Sequence, residues 1–184
     1  MDGHTHGGAP LAAASPQVLS LPRDPQAQGA LLHCDSDLVG ILVQAHHRRL
    51  VALRTIAKGT RLIRLTGREH EAPTKYSVQV SATLHLDQDC ARDETELVRR
   101  YFWRYLDHAC EPTTRIRDRE VIAVRDIAEG EGVTFHYCTT EYDMASPFAC
   151  QCGSPRCMGV IRGARHLTPA QRRHLGKWLP DYLR

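Results

Sequence analysis

Three cysteines near the C-terminus form the sharpest chemical signal in the sequence. They stand in a C-x-C-x4-C pattern, Cys150, Cys152 and Cys157, with Gly153 and Pro155 between them. A tight turn there directs three sulfur atoms towards one point. Three thiolates bind Zn²⁺ at about 2.3 Å without strain, whereas a disulfide across a single residue is strained. The pattern therefore predicts a structural zinc site whose fourth ligand comes from elsewhere in the chain.

Four other cysteines remain, and Cys110 stands out among them. It lies in the polar stretch 107–112, after a helical pattern, where a loop is expected. Cys34, Cys90 and Cys138 are interpreted as ordinary small residues. A compact cysteine-rich loop without metal is the alternative. Seven cysteines in a sequence without a secretory signal favour a reducing compartment, where clustered cysteines are metal ligands or reactive thiols rather than disulfides.

Several motifs, taken in order, resemble segments of SET-domain methyltransferases. Residues 104–112 (RYLDHACEP) resemble the family's R-[FY]-x-N-H-S-C-x-P segment, and residues 130–137 (GEGVTFHY) resemble its G-E-E-L-T-F-D-Y segment. The C-x-C-x4-C pattern that follows is similar to the family's post-SET zinc motif. Earlier, residues 51–59 resemble the strand and turn that open the SET fold. Together the matches extend over residues 31–163.

The resemblance implies a mostly β fold of small, knotted sheets with a few short helices, followed by a post-SET zinc segment and a C-terminal helix. In this family S-adenosylmethionine and the methyl acceptor enter from opposite faces and meet in a narrow channel. Tyr137 matches the catalytic tyrosine beside that channel; a tyrosine at a strand end that covers the core is the alternative. The resemblance also implies that Cys110 completes the structural Zn²⁺ site of Cys150, Cys152 and Cys157.

Five further residues are implied to contact the cofactor. Asp107 and His108 match the family's cofactor-binding Asn-His pair, and Arg104 and Tyr105 precede them. Phe148, just before the zinc motif, is expected to lie against the adenine ring. The alternative for Arg104 and Tyr105 is packing on the neighbouring sheet, and for His108 it is an ordinary loop histidine.

The sequence departs from the family pattern at four places. Residues 47–49 (HRR) stand where the family has G-x-G, which removes the close backbone approach that glycine permits. Asp107 replaces Asn, Ala109 replaces Ser and His136 replaces Asp. On an alternating strand His136 points away from Tyr137, so packing or solvent exposure is expected for it rather than proton transfer.

Three functions are compatible with these motifs. The first is S-adenosylmethionine-dependent methylation of a lysine side-chain amine of a protein, with the substrate strand added to a sheet edge. The second is methylation of a small amine or amino acid in secondary metabolism, which the short region 86–101 and the altered cofactor loop favour. The third is a non-catalytic, zinc-stapled binding module, against which the retention of Tyr137 counts.

A framework of short strands and two helices must position these residues. Apolar runs broken by turn residues predict strands over 38–45, 50–53, 61–66, 76–80, 83–86, 120–124 and 133–137. Asp93 and Glu96 resemble a capping box, and Thr168 followed by Pro169 is typical of a helix start. The apolar faces are Leu97, Tyr101 and Tyr105 for the first helix and Leu175, Trp178 and Leu179 for the terminal one.

Length and composition fit one folded domain with an N-terminal tail. The chain has 184 residues and 20.7 kDa, with 42% hydrophobic and 24% charged residues. Residues 1–29 are rich in Gly, Ala and Pro and are predicted to be disordered. The SET domain is expected over 30–145, the post-SET zinc segment over 146–163 and the C-terminal helical segment over 164–184.

Charge and hydropathy limit the kinds of binding partner that are expected for this chain. A formal net charge of +3 argues against nucleic acid, and the basic runs 46–49, 99–100 and 172–174 are interpreted as solvated faces. No stretch approaches the roughly 20 apolar residues of a membrane helix, and no secretory signal is seen. The sequence therefore predicts a cytoplasmic, intracellular protein whose partner is a protein lysine or a small-molecule amine.

Overall fold

The computed structural model describes residues 18–19 and 29–184. The predicted N-terminal tail, 1–29, lies outside the described residues except for the short strand Val18–Leu19 and for Gly29. The described part is mostly β with two short α-helices, as the sequence predicted. None of the helices in this part has the length and apolar character needed to cross a membrane.

Short strands dominate the described residues. In chain order they are β1 (Val18–Leu19), β2 (Ala30–Leu32), β3 (Val39–Gln44), β4 (His47–Ala52), β5 (Arg61–Arg64), β6 (Arg68–His70), β7 (Val78–Gln79), β8 (His85–Asp87), β9 (Asp107–His108), β10 (Thr114–Arg117), β11 (Glu120–Ala123), β12 (Thr134–Phe135), β13 (Phe148–Ala149) and β14 (Val160–Ile161). The α-helices are α1 (Glu94–Arg100) and α2 (Pro169–Leu175), and 3₁₀ helices cover Phe102–Tyr105, Tyr137–Thr139, Ala164–His166 and Asp181–Leu183.

The strands form several small sheets rather than one large one. Their orders are β1-β2-β3-β4, β10-β11-β5, β6-β8-β7, β12-β9 and β13-β14. Every pairing is antiparallel except that of β9 with β12, which is parallel. That parallel pair matters most for function, because it brings two of the sequence motifs side by side.

Most of the predicted strands are shorter than the apolar pattern suggested. The predictions over 61–66, 76–80, 83–86 and 133–137 become β5, β7, β8 and β12, and those over 38–45 and 120–124 lose one residue at one or both ends. Side-chain hydrogen bonds explain the late start of β7: the Thr74 backbone N–H donates to Ser77 Oγ at 2.8 Å, and the Ser77 N–H donates to Thr74 Oγ1 at 3.1 Å. Such bonds stabilise a turn in place of ladder pairing, so the strand begins only at Val78.

Helix α1 begins where the capping residues predicted and ends earlier than its apolar face suggested. Asp93 accepts a hydrogen bond from the Glu96 backbone N–H at 2.8 Å. The helix ends at Arg100, and Tyr105, predicted on the same helical face, lies in the following 3₁₀ helix. The α-helix changes to a 3₁₀ helix there because Trp103 is buried and its indole N–H donates to the Thr66 carbonyl at 3.0 Å.

Helix α2 has the predicted cap and is also shorter than predicted. Thr168 and Gln171 form a reciprocal capping box, with Pro169 at the first position. The helix ends at Leu175, so Trp178 and Leu179 follow it instead of extending its apolar face. Gly176 and Pro180, both poor helix formers, flank this break.

Apolar side chains gather into two main clusters. The larger, here called the main core, is formed by the strands β3, β4, β5 and β11 with α1 and the adjoining 3₁₀ helix. The smaller, here called the C-terminal cluster, joins two cysteines to residues that follow the zinc motif. Its buried members are Cys110, Cys138, Ile161, Ala164, Leu175, Leu179 and Leu183.

Candidate functional site

The parallel pair β9–β12 brings together the motifs 104–112 and 130–137. Asp107 lies opposite Thr134 and His108 lies opposite Phe135. Just beyond β12, the Tyr137 backbone N–H donates to His108 Nδ1 at 3.2 Å. The predicted catalytic tyrosine and the predicted cofactor-binding pair are thus neighbours, although 29 residues separate them in the chain.

Tyr137 is held in a fixed orientation by its own hydroxyl. The phenol O–H donates to the Leu106 carbonyl oxygen at 2.8 Å, and the ring packs against both the main core and the C-terminal cluster. Burial, together with the nearby carboxylates of Asp107 and Glu141, raises the pKa of the Tyr137 phenol. The group therefore stays protonated at neutral pH and acts as a hydrogen-bond donor or a dipole rather than as an anion.

The predicted zinc ligands also meet. The sulfur atoms of Cys110, Cys150, Cys152 and Cys157 all lie within 4.8 Å of one another, and the Cys110–Cys150 distance is 4.0 Å. Four sulfurs around a tetrahedral Zn²⁺ at about 2.3 Å stand about 3.8 Å apart. The donor set and its spacing therefore fit a closed structural zinc site. The other described cysteines lie outside this group.

Local backbone geometry explains why the sulfurs converge. Strands β13 and β14 flank the zinc motif, and the Cys150 N–H donates to the Gly159 carbonyl at 2.7 Å. Gly153 and Gly159 have φ of 69° and 74°, in the left-handed region that glycine adopts without strain. The Met158 N–H donates to Cys110 Sγ at 3.3 Å, so the backbone after the motif also holds the distant cysteine.

The thiols of this cluster differ in their pKa. Burial raises the pKa of Cys110 and raises that of Cys150 to about 11. At Cys152 burial also acts to raise the pKa, but hydrogen bonds from the backbone and from neighbouring thiols outweigh it and lower the value to about 7. Because a metal ion binds thiolates, loading of this set releases protons and weakens at acidic pH.

All five predicted cofactor-contacting residues line one cleft. It measures about 1270 Å³, and Tyr137, Cys150 and Cys152 also border it. The predicted residues on its wall are Arg104, Tyr105, Asp107, His108 and Phe148. The Phe148 ring lies 5.8 Å from the His108 ring and 5.9 Å from the Tyr137 ring, between centroids, and is partly open to solvent.

Part of the basic run 46–49 forms ion pairs at this cleft, which corrects its interpretation as a solvated face. His47 Nε2 lies 2.8 Å from an Asp107 carboxylate oxygen, and Arg48 lies 2.6 Å from Glu94. Arg48 also donates to the Tyr105 hydroxyl at 3.3 Å. Residues that stand in place of the family's G-x-G segment therefore pair with other residues that line the cleft. Pairing between distant segments of this kind has no signal in the sequence.

His136 is buried rather than exposed. Its side chain is 1% exposed and its ring packs edge-on against His108 at 4.8 Å between centroids. Of its two alternatives, packing is therefore confirmed and solvent exposure is wrong. Neither ring nitrogen has a hydrogen-bond partner among the described residues, and burial lowers the pKa of His136 to about 4. The neutral imidazoles of His108 and His136 thus lie beside the Cys110 thiol.

A second, smaller cavity adjoins this cleft. It measures about 70 Å³ and shares seven lining residues with the cleft, Leu106 and Tyr137 among them. Its lining includes Thr74, Lys75, Tyr76, Ser77, Val78, Trp103, Arg104, Phe135, Glu141 and Met144. A water-sized group needs about 10–15 Å³ of such space, so a slender chain of a few heavy atoms fits here and a ring system does not.

Glu141, which also lines this cavity, was not predicted as a functional residue. It follows two threonines and resembles part of a polar loop. In the structure it is only 7% exposed, because the segment packs against β7, and burial raises the pKa of its carboxyl group to about 7. Nothing local in the sequence predicts that burial.

Comparison with known proteins points to one family. A family model described as the SET domain matches residues 47–138, half of the chain. Over 67 residues the chain is 39% identical to "Methyltransferase flvH" of Aspergillus flavus, which is 34% of this chain and 38% of that protein. Over 124 residues it is 30% identical to "Histone-lysine N-methyltransferase ash1" of Drosophila melanogaster, 59% of this chain and 6% of that protein. The chain thus spans well under two thirds of these relatives.

A solved structure shows the same fold. The crystal structure of KRYPTONITE in complex with mCHG DNA and SAH matches with a TM-score of 0.50 and 16% sequence identity. The match covers 64% of this chain and 27% of that chain. At this level of identity the likeness concerns the arrangement of the strands and helices.

Proposed function

The chain belongs to the SET-domain family, and we propose that it is an S-adenosylmethionine-dependent N-methyltransferase that acts on a lysine side-chain amine of a protein. One observation carries this proposal: Tyr137 lines both an open cleft and the small cavity that adjoins it. A cofactor in the cleft and an acceptor nitrogen in the cavity would meet at its hydroxyl. The family membership agrees with the resemblance seen in the motifs.

The cofactor supplies a methyl group on a positively charged sulfur when it is bound. Tyr137 and the Leu106 carbonyl, joined by their hydrogen bond, present two oxygen atoms at the point where cleft and cavity meet. Fixed oxygen dipoles of this kind stabilise the positive charge that spreads over the transferring group. Most of the rate gain comes from holding the acceptor nitrogen in line with the methyl group.

The residues of the cleft fit such a cofactor. Tyr105 and Phe148 offer aromatic surface for a planar base, and Asp107 and Glu94 offer carboxylates towards cationic groups. Arg104 and His108 complete the wall that the sequence motifs predicted. A volume of about 1270 Å³ is at the upper end for a small-molecule site, and the cleft therefore admits a nucleoside with its amino acid arm.

Zn²⁺ is proposed as the ion of the thiol cluster. Cys110, Cys150, Cys152 and Cys157 would hold it, and its role is structural, because four thiolates leave no open position for a reacting group. Cys150 and Cys152 also line the cofactor cleft. Metal binding would therefore close the segment after β13 over the cofactor, and loss of metal would weaken cofactor binding.

A small amine or amino acid is the second candidate acceptor, and one observation favours it. The sheet β6-β8-β7 ends in strand β7, which is only two residues long. A protein segment that binds by strand addition needs an edge with several free backbone groups. A small cavity beside such a short edge suits a compact acceptor as well as it suits a lysine side chain.

Labelled cofactor tests the proposal. The protein, with its zinc content measured, is incubated with methyl-labelled S-adenosylmethionine and with separate protein and small-molecule fractions. Label in proteins supports the first acceptor, and label in small molecules supports the second. Cofactor binding without turnover in either fraction would favour a non-catalytic binding module and contradict the proposal.

Tyr137→Phe sharpens that test. Because the variant lacks the hydroxyl of a residue that lines both the cleft and the small cavity, transfer should fall by about 10²-fold or more, with an unchanged fold. Tyr142→Phe is the matched control, because Tyr142 is an exposed tyrosine on the same segment. Full activity of Tyr137→Phe would show that another group assists the transfer.

A further inference from the structure

Glu141 has one carboxylate oxygen engaged and one free. Oε1 accepts hydrogen bonds from the Gln79 backbone N–H at 2.8 Å and from the Thr140 hydroxyl at 3.2 Å. Oε2 has no hydrogen-bond partner among the described residues, and the side chain lines the small cavity that Tyr137 also lines. Glu141, which is only 7% exposed, therefore borders the cavity with one carboxylate oxygen that no described residue engages.

The neighbouring hydroxyl groups do not satisfy that oxygen. The Tyr137 phenol donates to the Leu106 carbonyl, and the Tyr182 phenol donates to the Gln79 carbonyl at 3.0 Å. Both phenols have raised pKa values. Burial is the main cause for each, followed by the charges of Asp107 and then Glu141 for Tyr137, and by the charge of Glu141 for Tyr182. The Cys138 thiol, also buried nearby, has a raised pKa for the same reasons. These three titratable groups are neutral around Glu141.

The two cations that line the same cavity lie against Tyr76, which also lines it, and neither pairs with Glu141. The Arg104 guanidinium lies 3.6 Å from the centre of the Tyr76 ring, and the Lys75 ammonium lies 5.2 Å from it. Within the described part of the chain, Glu141 forms no ion pair with any Lys, Arg or His. Buried charges in proteins are normally paired, so a cation that enters this cavity would be stabilised.

We propose that Glu141 is the group that selects a cationic amine in the acceptor cavity: its free oxygen binds the ammonium form of an alkylamine acceptor and accepts the proton that must leave before methylation. Binding of the ammonium does not depend on the proposed function; acceptance of its proton before methylation does. The inference names the substrate class, a primary or secondary alkylammonium on a slender chain, and it assigns a role to a residue outside the family motifs quoted above.

The proton step balances within the cavity. One N–H bond of the ammonium breaks and one O–H bond forms on Glu141, which leaves a neutral amine with its lone pair and a neutral carboxylic acid. With S-adenosylmethionine bound, that lone pair would be free to form the new N–C bond as the S–CH3 bond breaks; the cofactor would leave as a neutral thioether and the positive charge would pass to the nitrogen. Glu141 returns its proton to solvent when the product leaves.

Burial makes this carboxylate a better base than an exposed one. A free alkylamine has a pKa of about 10.4 and an ordinary glutamate one of about 4.3. Since burial raises the pKa of Glu141 to about 7, the gap that the proton must cross is smaller by more than two units. The geometry and the missing cation carry the inference, and the raised pKa agrees with it.

A purely structural role is the competing explanation. Through Oε1, Glu141 ties its segment to β7, and any residue that accepts the Gln79 N–H would do the same. Glu141→Gln separates the two roles, because a glutamine oxygen keeps this bond while the negative charge is lost. Asp143→Asn is the matched control: it removes one charge from the same segment at an exposed site that pairs with Arg165 and His166.

The experiment uses n-butylammonium as the probe and 1-butanol as its neutral analogue. The full chain, labelled with ¹³C at glutamate carboxyl groups, is titrated by NMR with and without each compound. We expect n-butylammonium to lower the titration midpoint of Glu141 by about one unit or more and 1-butanol to leave it unchanged. In calorimetry, Glu141→Gln should bind n-butylammonium about tenfold more weakly or worse, while Asp143→Asn stays within about twofold.

Each outcome decides the inference. A midpoint that n-butylammonium does not move, or equal affinity of wild type and Glu141→Gln, overturns it. If Glu141→Gln does not fold, the titration of the wild-type carboxyl decides alone. Methyl transfer is measured separately. If the wild type transfers methyl groups but n-butylammonium does not change the titration midpoint of Glu141, only this inference is wrong. If n-butylammonium binds at Glu141 but no methyl transfer is detected, only the proposed function is wrong.

Discussion

The main core and the C-terminal cluster are stabilised in different ways. Twenty buried residues form the main core, and all but Cys34 are hydrocarbon or aromatic side chains. Seven form the C-terminal cluster, of which Cys110 and Cys138 are cysteines, with Cys150 and Cys152 packed beside them. A small apolar cluster buries too little surface to hold its segments alone and commonly needs a metal or a cross-link. The comparison implies that the main core folds by burial and the C-terminal cluster depends on its thiols.

The proposed reaction centre lies on the boundary between the two clusters. Tyr137 packs against both of them, and the Glu141 carbonyl accepts a hydrogen bond from the Ala164 N–H of the C-terminal cluster at 2.7 Å. On its other side Glu141 binds Gln79 in β7. A structural change in the C-terminal cluster would therefore act on the small cavity through Tyr137 and Glu141, which line it.

The largest expected effect comes from removing one zinc ligand. Cys110→Ser should abolish stoichiometric zinc binding, because thiolate ligation at this site supplies much of the order of the C-terminal cluster. Amide hydrogen exchange should accelerate by about 10²-fold or more in residues 148–183 and stay near wild type in β3 and β4. Cofactor affinity should fall by about 10- to 100-fold, since Cys150 and Cys152 line the cleft.

Cys138→Ser is the control for that experiment. Cys138 is as buried as Cys110 and belongs to the same cluster, but it stands outside the four-thiol group. It should keep one zinc ion per chain and wild-type exchange over 148–183. If Cys110→Ser keeps its zinc, or if exchange accelerates equally in both regions, the two clusters are not held differently.

An intermediate effect should appear in the pH dependence of stability. Glu141 has a folded pKa near 7 and an ordinary unfolded value near 4.5. Between these values the unfolded state loses the proton first, so ionisation favours unfolding as the pH rises. The free energy of unfolding should therefore fall by roughly 2–3 kcal/mol more for wild type than for Glu141→Gln between pH 5 and pH 8.

Urea unfolding at both pH values measures this difference. Comparing the two proteins cancels the titration of the thiols and histidines that they share. Hydrogen exchange at pH 8 should locate the loss at residues 137–142, on the boundary between the clusters. Parallel stability curves for the two proteins would mean that Glu141 ionises as an exposed glutamate does, and the boundary would then carry no buried charge.

What the sequence predicted correctly depended on local information. The caps at Asp93 and Thr168 are formed by residues three apart. The capping box is complete at Thr168, whereas at Asp93 only the bond from the Glu96 N–H forms, because the Glu96 carboxylate accepts from the Arg92 N–H instead. The meeting of Cys110 with the zinc motif was implied by the family resemblance, although 40 residues separate Cys110 from Cys150. Spacing alone left that fourth ligand open. Local interactions thus predicted the helix caps, and the family resemblance predicted the fourth zinc ligand.

What the sequence missed depended on contacts between distant segments. Glu141 is buried because β7, 62 residues earlier, packs against it. Arg48 lies at the cleft because Glu94 and Tyr105 pair with it. The helix ends were also misplaced, since the tight turn that buries Trp103 against Thr66 overrides the apolar periodicity. Charge pairs and helix ends of this kind are set by tertiary packing.

The smallest expected effect compares the two helix caps, one in each region. Asp93→Ala removes the cap of α1, which packs Val98 into the main core, and Thr168→Ala removes the cap of α2, which packs Leu175 into the C-terminal cluster. Each substitution should cost about 1 kcal/mol. With zinc bound, both losses should appear in global unfolding by urea. After chelation by EDTA, the C-terminal cluster should already be locally open, so Thr168→Ala should lose its effect while Asp93→Ala keeps it. Equal losses with and without chelator would show that α2 stays docked through apolar contacts alone, and the C-terminal cluster would then be an ordinary small core.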